Sequence, residues 1–158
     1  MKILGIDPGL AGTGFGCVES RGRELYPLYA ATAAPPADLP LPERLAALRI
    51  STLELLNSLR PAAVAVEQVF THAGHPNTVI LLGHARGVLL EACAAAAVPV
   101  LEYAPRRIKQ AVVGAGGASK EQVSAMVMRL LALPHPPATQ HEADAFAVAI
   151  CAHVAGGR

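Results

Sequence analysis

Apolar and polar positions divide the 158 residues into short strand-like runs and longer helical ones. Lys2–Ile6 is an apolar run that predicts a strand, and Pro8-Gly9 after it is a turn pair. Gly12–Val18 alternates small or polar residues with bulkier ones and predicts a second strand. Arg21-Gly22-Arg23 turns the chain into a third, Glu24–Thr32, so the opening predicts an antiparallel meander. A Pro-rich connection, residues 33–42, leads to Leu45, Leu48, Leu55, Leu56 and Leu59, whose spacing predicts a helix from about Glu43 to Leu59 that Pro61 stops. Ala62–Val66 is apolar throughout, as in a strand covered on both faces. Phe70–Asn77 predicts a loop, Asn77–Ala97 a long helix, and Val98–Glu102 a fifth strand that Pro99 favours at an edge. Arg106–Val112 predicts a short helix and Gly114–Gly117 a loop. Ser119–Gln122 has the spacing of a capping box opening a helix to Leu133, and Thr139–Glu142 repeats that pattern before the last helix. The order predicts an α/β fold: a five-stranded mixed sheet flanked by helices, in one domain spanning residues 1–158.

Three acids interrupt this pattern. Asp7 ends the first apolar run, Glu67 ends the fourth, and Asp144 lies inside the apolar run Ala143–Val154 with His141 three residues before it. Charged residues are 16% of the chain, so acids at such positions call for a partner or an ion. Each also has a plain reading. Asp7 fits an Asx turn in Asp-Pro-Gly, Glu67 a residue emerging into solvent, Asp144 a dipole partner near a helix start, and His141 an exposed first-turn histidine. Glu142 is best read as the third helical residue of the Thr139 capping box, pointing elsewhere. Together the four make a stronger case. Neighbouring first and fourth strands, crossed at their ends by the last helix, would bring Asp7, Glu67, His141 and Asp144 into one place. Clustered carboxylates repel unless cations join them. Oxygen donors select Mg²⁺ or Mn²⁺, and an imidazole tilts the choice toward Mn²⁺. Two such ions about 4 Å apart stabilise the attacking and leaving oxygens of a phosphodiester displacement.

Composition narrows the classes. At 53% apolar the chain can fill a core. No charge-free apolar stretch reaches about 18 residues, the length of a membrane span, and the opening run is too short for a signal peptide. Cys17, Cys93 and Cys151 are widely spaced in apolar settings and read as reduced core thiols, which favours a cytoplasmic protein. Net charge is +1, yet Tyr103–Lys120 carries Arg106, Arg107, Lys109 and Lys120 with no acid, which suits either a solvated loop or a phosphate-binding track. Gly9, Gly12, Gly14 and Gly16 lack the spacing of a dinucleotide fingerprint and open no helix.

The chain resembles the RuvC family of crossover junction endodeoxyribonucleases, which resolve Holliday junctions. The likeness rests on Ile3–Gly9 with Thr13-Gly14, on Val66-Glu-Gln-Val-Phe70, on Gly83-His-Ala-Arg-Gly87, on Glu102–Pro105 running into Lys109–Gly114, and on Ala143–Ala147. It implies a ribonuclease H-like fold, a homodimer, and Mg²⁺ or Mn²⁺ as cofactor, two per site. It places catalytic acids at Asp7, Glu67 and Asp144 and a fourth ligand at His141, where the best-known members have Asp. A neutral imidazole there implies activity that falls below roughly pH 6.5, and an altered profile in His141→Asp. Phe70 corresponds to an aromatic that stacks on or wedges between bases, although a loop anchor is the simpler alternative. Lys109 and Lys120 correspond to basic residues near the scissile phosphate, Lys120 offsetting charge in the transition state. Arg106 and Arg107 would touch backbone phosphate, and Arg86 would serve DNA or the dimer.

The helix at 77–97 is apolar on more than one face, through Val79, Ile80, Leu82, Val88, Leu89 and Leu90, so one side can cover the sheet and the other a second subunit. A twofold dimer would match a near-twofold junction and make two nicks of like polarity. The expected function is a metal-dependent endonuclease that cuts four-way DNA junctions in recombination and repair, leaves 5′-phosphate ends and cooperates with the branch-migration motor RuvAB, with no membrane association. Two rivals are a ribonuclease H-like nuclease acting on RNA or hybrids and a non-catalytic junction-binding protein whose acids hold a structural ion.

Overall fold

The computed structural model describes residues 1–69 and 76–156. Its elements are β1 (Lys2–Asp7), β2 (Thr13–Arg21), β3 (Glu24–Ala33), α1 (Leu41–Leu59), β4 (Ala63–Glu67), α2 (Pro76–Ala95), β5 (Val100–Tyr103), α3 (Pro105–Val113), α4 (Lys120–Leu130) and α5 (Gln140–Gly156). The strands form one five-stranded sheet in the order β3-β2-β1-β4-β5. β1–β2 and β2–β3 are antiparallel, the meander expected from the sequence, and β1–β4 and β4–β5 are parallel. The sheet is therefore mixed, with β3 and β5 at its edges.

Element ends differ from the sequence reading for local reasons. α1 begins two residues earlier than expected because Pro42 fits its first turn, where no backbone N–H is needed. It ends at Arg60, in the left-handed conformation and followed by Pro61. α2 stops at Ala95 because Ala97 takes a positive φ and Pro99 follows. α4 stops at Leu130 rather than Leu133, with Ala132 at positive φ ahead of Pro134. Ser119 completes the full capping box with Gln122 at the start of α4.

Side chains alternate across a strand, so each strand has two faces. Leu4 and Ile6 of β1, Phe15 and Cys17 of β2, and Val64 and Val66 of β4 pack with Leu48 and Leu56 of α1 and Ala85, Leu89 and Cys93 of α2. The opposite face supplies Ile3, Val18 and Ala65, packed with α3, α4 and α5. That second face also carries Gly5 and Gly14. A Cβ at Gly5 would collide with the Ala145 carbonyl oxygen, and one at Gly14 with the carbonyl of His141. The α5 backbone thus rests directly on β1 and β2, and only glycine permits so close an approach.

α2 docks by a single stripe, Ala85, Leu89, Ala92 and Cys93. Its Glu91 pairs with Arg49 of α1 at 2.6 Å, and its Arg86 with Glu102 of β5. Asn77–Ala95 is long and apolar enough by length and composition to cross a membrane. Its two charged residues are nevertheless committed to neighbours within the chain. Ile80 and Leu81 on the same helix are exposed. Cys17, Cys93 and Cys151 are free and buried, and burial pushes each thiol up to about 11, so none is poised as a nucleophile.

Candidate active site

A cleft opens where the C-terminal ends of β1 and β4 meet the first turn of α5. The parallel register sets Ile6 beside Val66, so the next residues, Asp7 and Glu67, are neighbours. By strand alternation they share the face of Gly5 and Ala65, which is the face that α5 covers. α5 is seated with the His141 carbonyl against Gly14, and its first turn presents His141 and Asp144 to the same opening. The cleft is about 410 Å³, and Asp7, Glu67, His141, Asp144, Lys109, Lys120 and Gln140 line it. The four residues expected to converge do converge.

His141 Nδ1 lies 2.7 Å from Asp7 Oδ2. With Asp7 ionised, Nδ1 carries the proton and donates it, leaving the lone pair on Nε2. A Cβ at Gly12 would stand 3.0 Å from that Nε2 and 2.9 Å from Cδ2, so the hairpin must stay bare there for the ring to fit. Asp144 accepts from Gln140 Nε2 at 2.7 Å and faces the Lys120 ammonium at 3.7 Å. His141, Asp7 and Asp144 thus each have a partner within the chain. Among the described residues no three His, Cys, Asp or Glu groups stand as an assembled ion cage.

The electrostatics show how unfavourable the bare cluster is. Burial raises the Glu67 carboxyl, and the Asp7 and Asp144 carboxylates raise it further. Lys120 and Lys109 oppose them, and the result is about 7 against an ordinary 4.5. Asp7 is also raised. There burial outweighs the hydrogen bond from His141, and Asp144 adds to the rise. A divalent cation would reverse each of these costs, and a set of three carboxylates and an imidazole is the donor chemistry that Mg²⁺ or Mn²⁺ takes.

The basic residues separate. Lys109 and Lys120 line the cleft, while Arg106 and Arg107 sit on α3 outside it. The stem of Arg106 lies over Gly116, where an added Cβ would come within 2.6 Å of its Cγ. Arg86 is only 20% exposed and its guanidinium is taken by Glu102. Phe70 lies outside the described residues. Glu142 faces away from the cleft, 7% exposed. The expected capping box is only half formed: Thr139 Oγ1 accepts from the Glu142 N–H, but the Glu142 carboxylate takes the Ala138 N–H instead of that of Thr139. The sequence reading missed Gln140. Its separation of four residues from Asp144 on one helix was the available signal, since such residues are neighbours on the helix surface.

Residues 3–153 match the family of crossover junction endodeoxyribonuclease RuvC. The chain belongs to this family. A RuvC of Syntrophomonas wolfei is 45% identical over 151 residues, covering 96% of this chain and 87% of the relative. One from Bordetella parapertussis is 47% identical over 155 residues, covering 98% of this chain and 84% of the relative. The solved structure of Thermus thermophilus RuvC in complex with Holliday junction substrate matches with a TM-score of 0.93 and 35% identity, over 99% of this chain and 95% of that one. The T. thermophilus RuvC structure, at 36% identity and the same coverage, gives 0.89. The fold is therefore the ribonuclease H-like fold of RuvC, with its mixed sheet and flanking helices.

Proposed function

We propose that this chain is a Holliday junction resolvase, a divalent-metal endonuclease that nicks two strands of a four-way DNA junction symmetrically and leaves 5′-phosphate ends. Membership of the RuvC family and likeness to a RuvC solved with junction substrate support the reading. The observation that carries it is the meeting of Asp7, Glu67, His141 and Asp144 in one cleft beside Lys109 and Lys120.

The donor set fits a divalent ion because burial and mutual repulsion raise the Asp7 and Glu67 carboxyls, and a cation there would offset that charge. Bound ions, two per site in this reading, would polarise the scissile phosphate and stabilise the attacking and leaving oxygens. Asp7 and Glu67, fixed at adjacent strand ends, would hold them from the sheet side. Asp144 and His141 would hold them from α5. Asp7 meets the imidazole at Nδ1 and so would fix the orientation of the ring. Lys120, 69% exposed and only 3.7 Å from Asp144, can turn from that carboxylate to an incoming phosphate and offset charge in the transition state. Lys109 binds the same backbone from α3, and Arg106 and Arg107 extend the positive track beyond the cleft. Phe70 retains its proposed role against the bases.

Symmetric nicking needs two cleavage sites. The bare apolar side of α2, with Ile80 and Leu81 exposed, suits a second copy of the chain related by a twofold axis. Cooperation with RuvAB in the cytoplasm completes the proposal.

The test is cleavage of a synthetic four-way junction, a linear duplex and an RNA–DNA hybrid, with Mg²⁺ and Mn²⁺ in parallel. Paired nicks in the junction are expected, and preference for the hybrid would favour the ribonuclease reading. Asp7→Asn should cut cleavage by about a thousandfold or more while junction binding survives. Undiminished cleavage by that variant would reject the site.

A further inference from the structure

Glu142 stands between His141 and Asp144 in sequence but points the other way, into the body of the protein. A carboxylate buried to this degree needs partners, and it has them. Its Oε2 accepts from the Ala138 N–H at 2.9 Å, ahead of the helix. Its Oε1 lies 3.4 Å from the Thr32 hydroxyl on β3, 110 residues away in the chain. Thr32 and Thr139 share a hydrogen bond of 2.6 Å, and Thr139 Oγ1 accepts from the Glu142 N–H at 3.2 Å. One arrangement of protons satisfies the whole ring: Glu142 N–H donates to Thr139, Thr139 to Thr32, and Thr32 to the Glu142 carboxylate.

This ring does more than cap a helix. A capping box closes on the cap residue's own N–H. Here Glu142 instead reaches Ala138 and a strand from the other end of the sheet. The first turn of α5 is therefore held from two sides. Beneath it, the His141 carbonyl abuts Gly14. Beside it, Thr32 ties it to β3. The Thr32 methyl also lies 3.5 Å from where a Gly12 Cβ would be, the same small space that the edge of the His141 ring borders. Thr32 thus reaches both the turn that carries the ligands and the surroundings of one ligand's ring.

We infer that Thr32 and Glu142 are positioning residues: the Thr32–Thr139–Glu142 ring fixes the first turn of α5 so that His141 and Asp144 face Asp7 and Glu67 at a spacing that binds divalent metal. The inference rests on the proposed function, since it concerns how that site is held. Neither residue lines the cleft. Outer partners that orient ligands typically change metal affinity by about 10–100-fold when removed.

The test titrates Mn²⁺ calorimetrically into wild type, Thr32→Val and Thr32→Ser, without DNA. Thermal melts and junction binding in EDTA run alongside. Thr32→Val keeps the shape and loses the hydroxyl, and should weaken Mn²⁺ about tenfold. Thr32→Ser should stay within about twofold of wild type. Junction binding in EDTA should be unchanged in both, and kcat of Thr32→Val should recover as Mn²⁺ is raised. A merely structural role would lower the melting temperature and leave Mn²⁺ affinity intact. Wild-type affinity in Thr32→Val, or equal weakening in Thr32→Ser, overturns the inference. If Thr32→Val does not fold, Glu142→Gln is read by the same criteria. Failure of the underlying site assignment has a different signature: wild type itself takes up no Mn²⁺ and Asp7→Asn still cleaves, and the inference falls with it.

Discussion

The two faces of the sheet are built from different side chains and do different work. Toward α1 and α2, β1, β2 and β4 present Leu4, Ile6, Phe15, Cys17, Val64 and Val66, a layer of bulky groups that keeps the helices at ordinary packing distance. Toward α5, the same strands present Gly5, Gly14 and Ala65, and the helix backbone descends onto the sheet. Close approach is what brings the first turn of α5 to the strand ends, so the face with the smallest residues is the face that assembles the cleft. The bulky face assembles no such cluster among the described residues. It anchors α2 by one stripe and leaves that helix's outer side apolar and bare. Intimate packing brings the strand ends and the helix turn together; incomplete packing leaves Ile80 and Leu81 exposed.

The contrast is easiest to break at the glycines. Gly14→Ala places a methyl group against the His141 carbonyl, a backbone atom with nowhere to go. It should lower stability by about 3 kcal/mol or more, and whatever folds should bind divalent metal poorly because His141 is displaced. Gly83→Ala, on the bare side of α2 with nothing within 4 Å, should raise the stability of the isolated chain by up to about 1 kcal/mol. Denaturant melts of the two variants measure the difference between the faces directly. Similar losses in both would mean that α5 is no more tightly seated than α2.

A smaller effect comes from pH. Folded Glu67 keeps its proton to about 7, against an ordinary 4.5, and Asp7 shifts the same way. Between these values the folded chain binds more protons than the unfolded one. The stability linked to Glu67 is therefore fully present below about 4.5 and lost as pH rises through about 7, on the order of 3 kcal/mol at most. Melting temperatures in EDTA should fall between pH 5 and pH 8, and Glu67→Gln should flatten the fall. Divalent ions should bind more tightly over the same interval, because they compete with that proton. Parallel melting curves for wild type and Glu67→Gln would show that no such proton is held.

The smallest effect on folding belongs to the outer side of α2. Ile80→Asp should change the stability of the monomer by no more than about 0.5 kcal/mol, since Ile80 is 58% exposed. Its effect should appear in assembly: sedimentation should show a monomer, and junction nicks should cease to be paired. A dimer that survives the substitution would move the interface elsewhere.

The sequence carried the elements, because each is written in a local period, and it carried more of the site than such a period usually does. Asp7 and Glu67 each follow an apolar strand by parity with a small residue, Gly5 and Ala65, and His141 and Asp144 share one helical face. Once β1 and β4 are neighbours and α5 crosses their ends, the four share an opening. What no local pattern contained was the choice of partners. Only the folded chain pairs His141 with Asp7, Asp144 with Gln140 and Lys120, and Arg86 with Glu102. Only the fold keeps Lys109 at the cleft while Arg106 and Arg107 stand outside it, and only the fold turns Glu142 toward Thr32. Periodicity reports which way a side chain faces on its own element. Which groups meet depends on strand order, helix crossing and the distance of approach, and these are set by the packing of residues far apart in the chain.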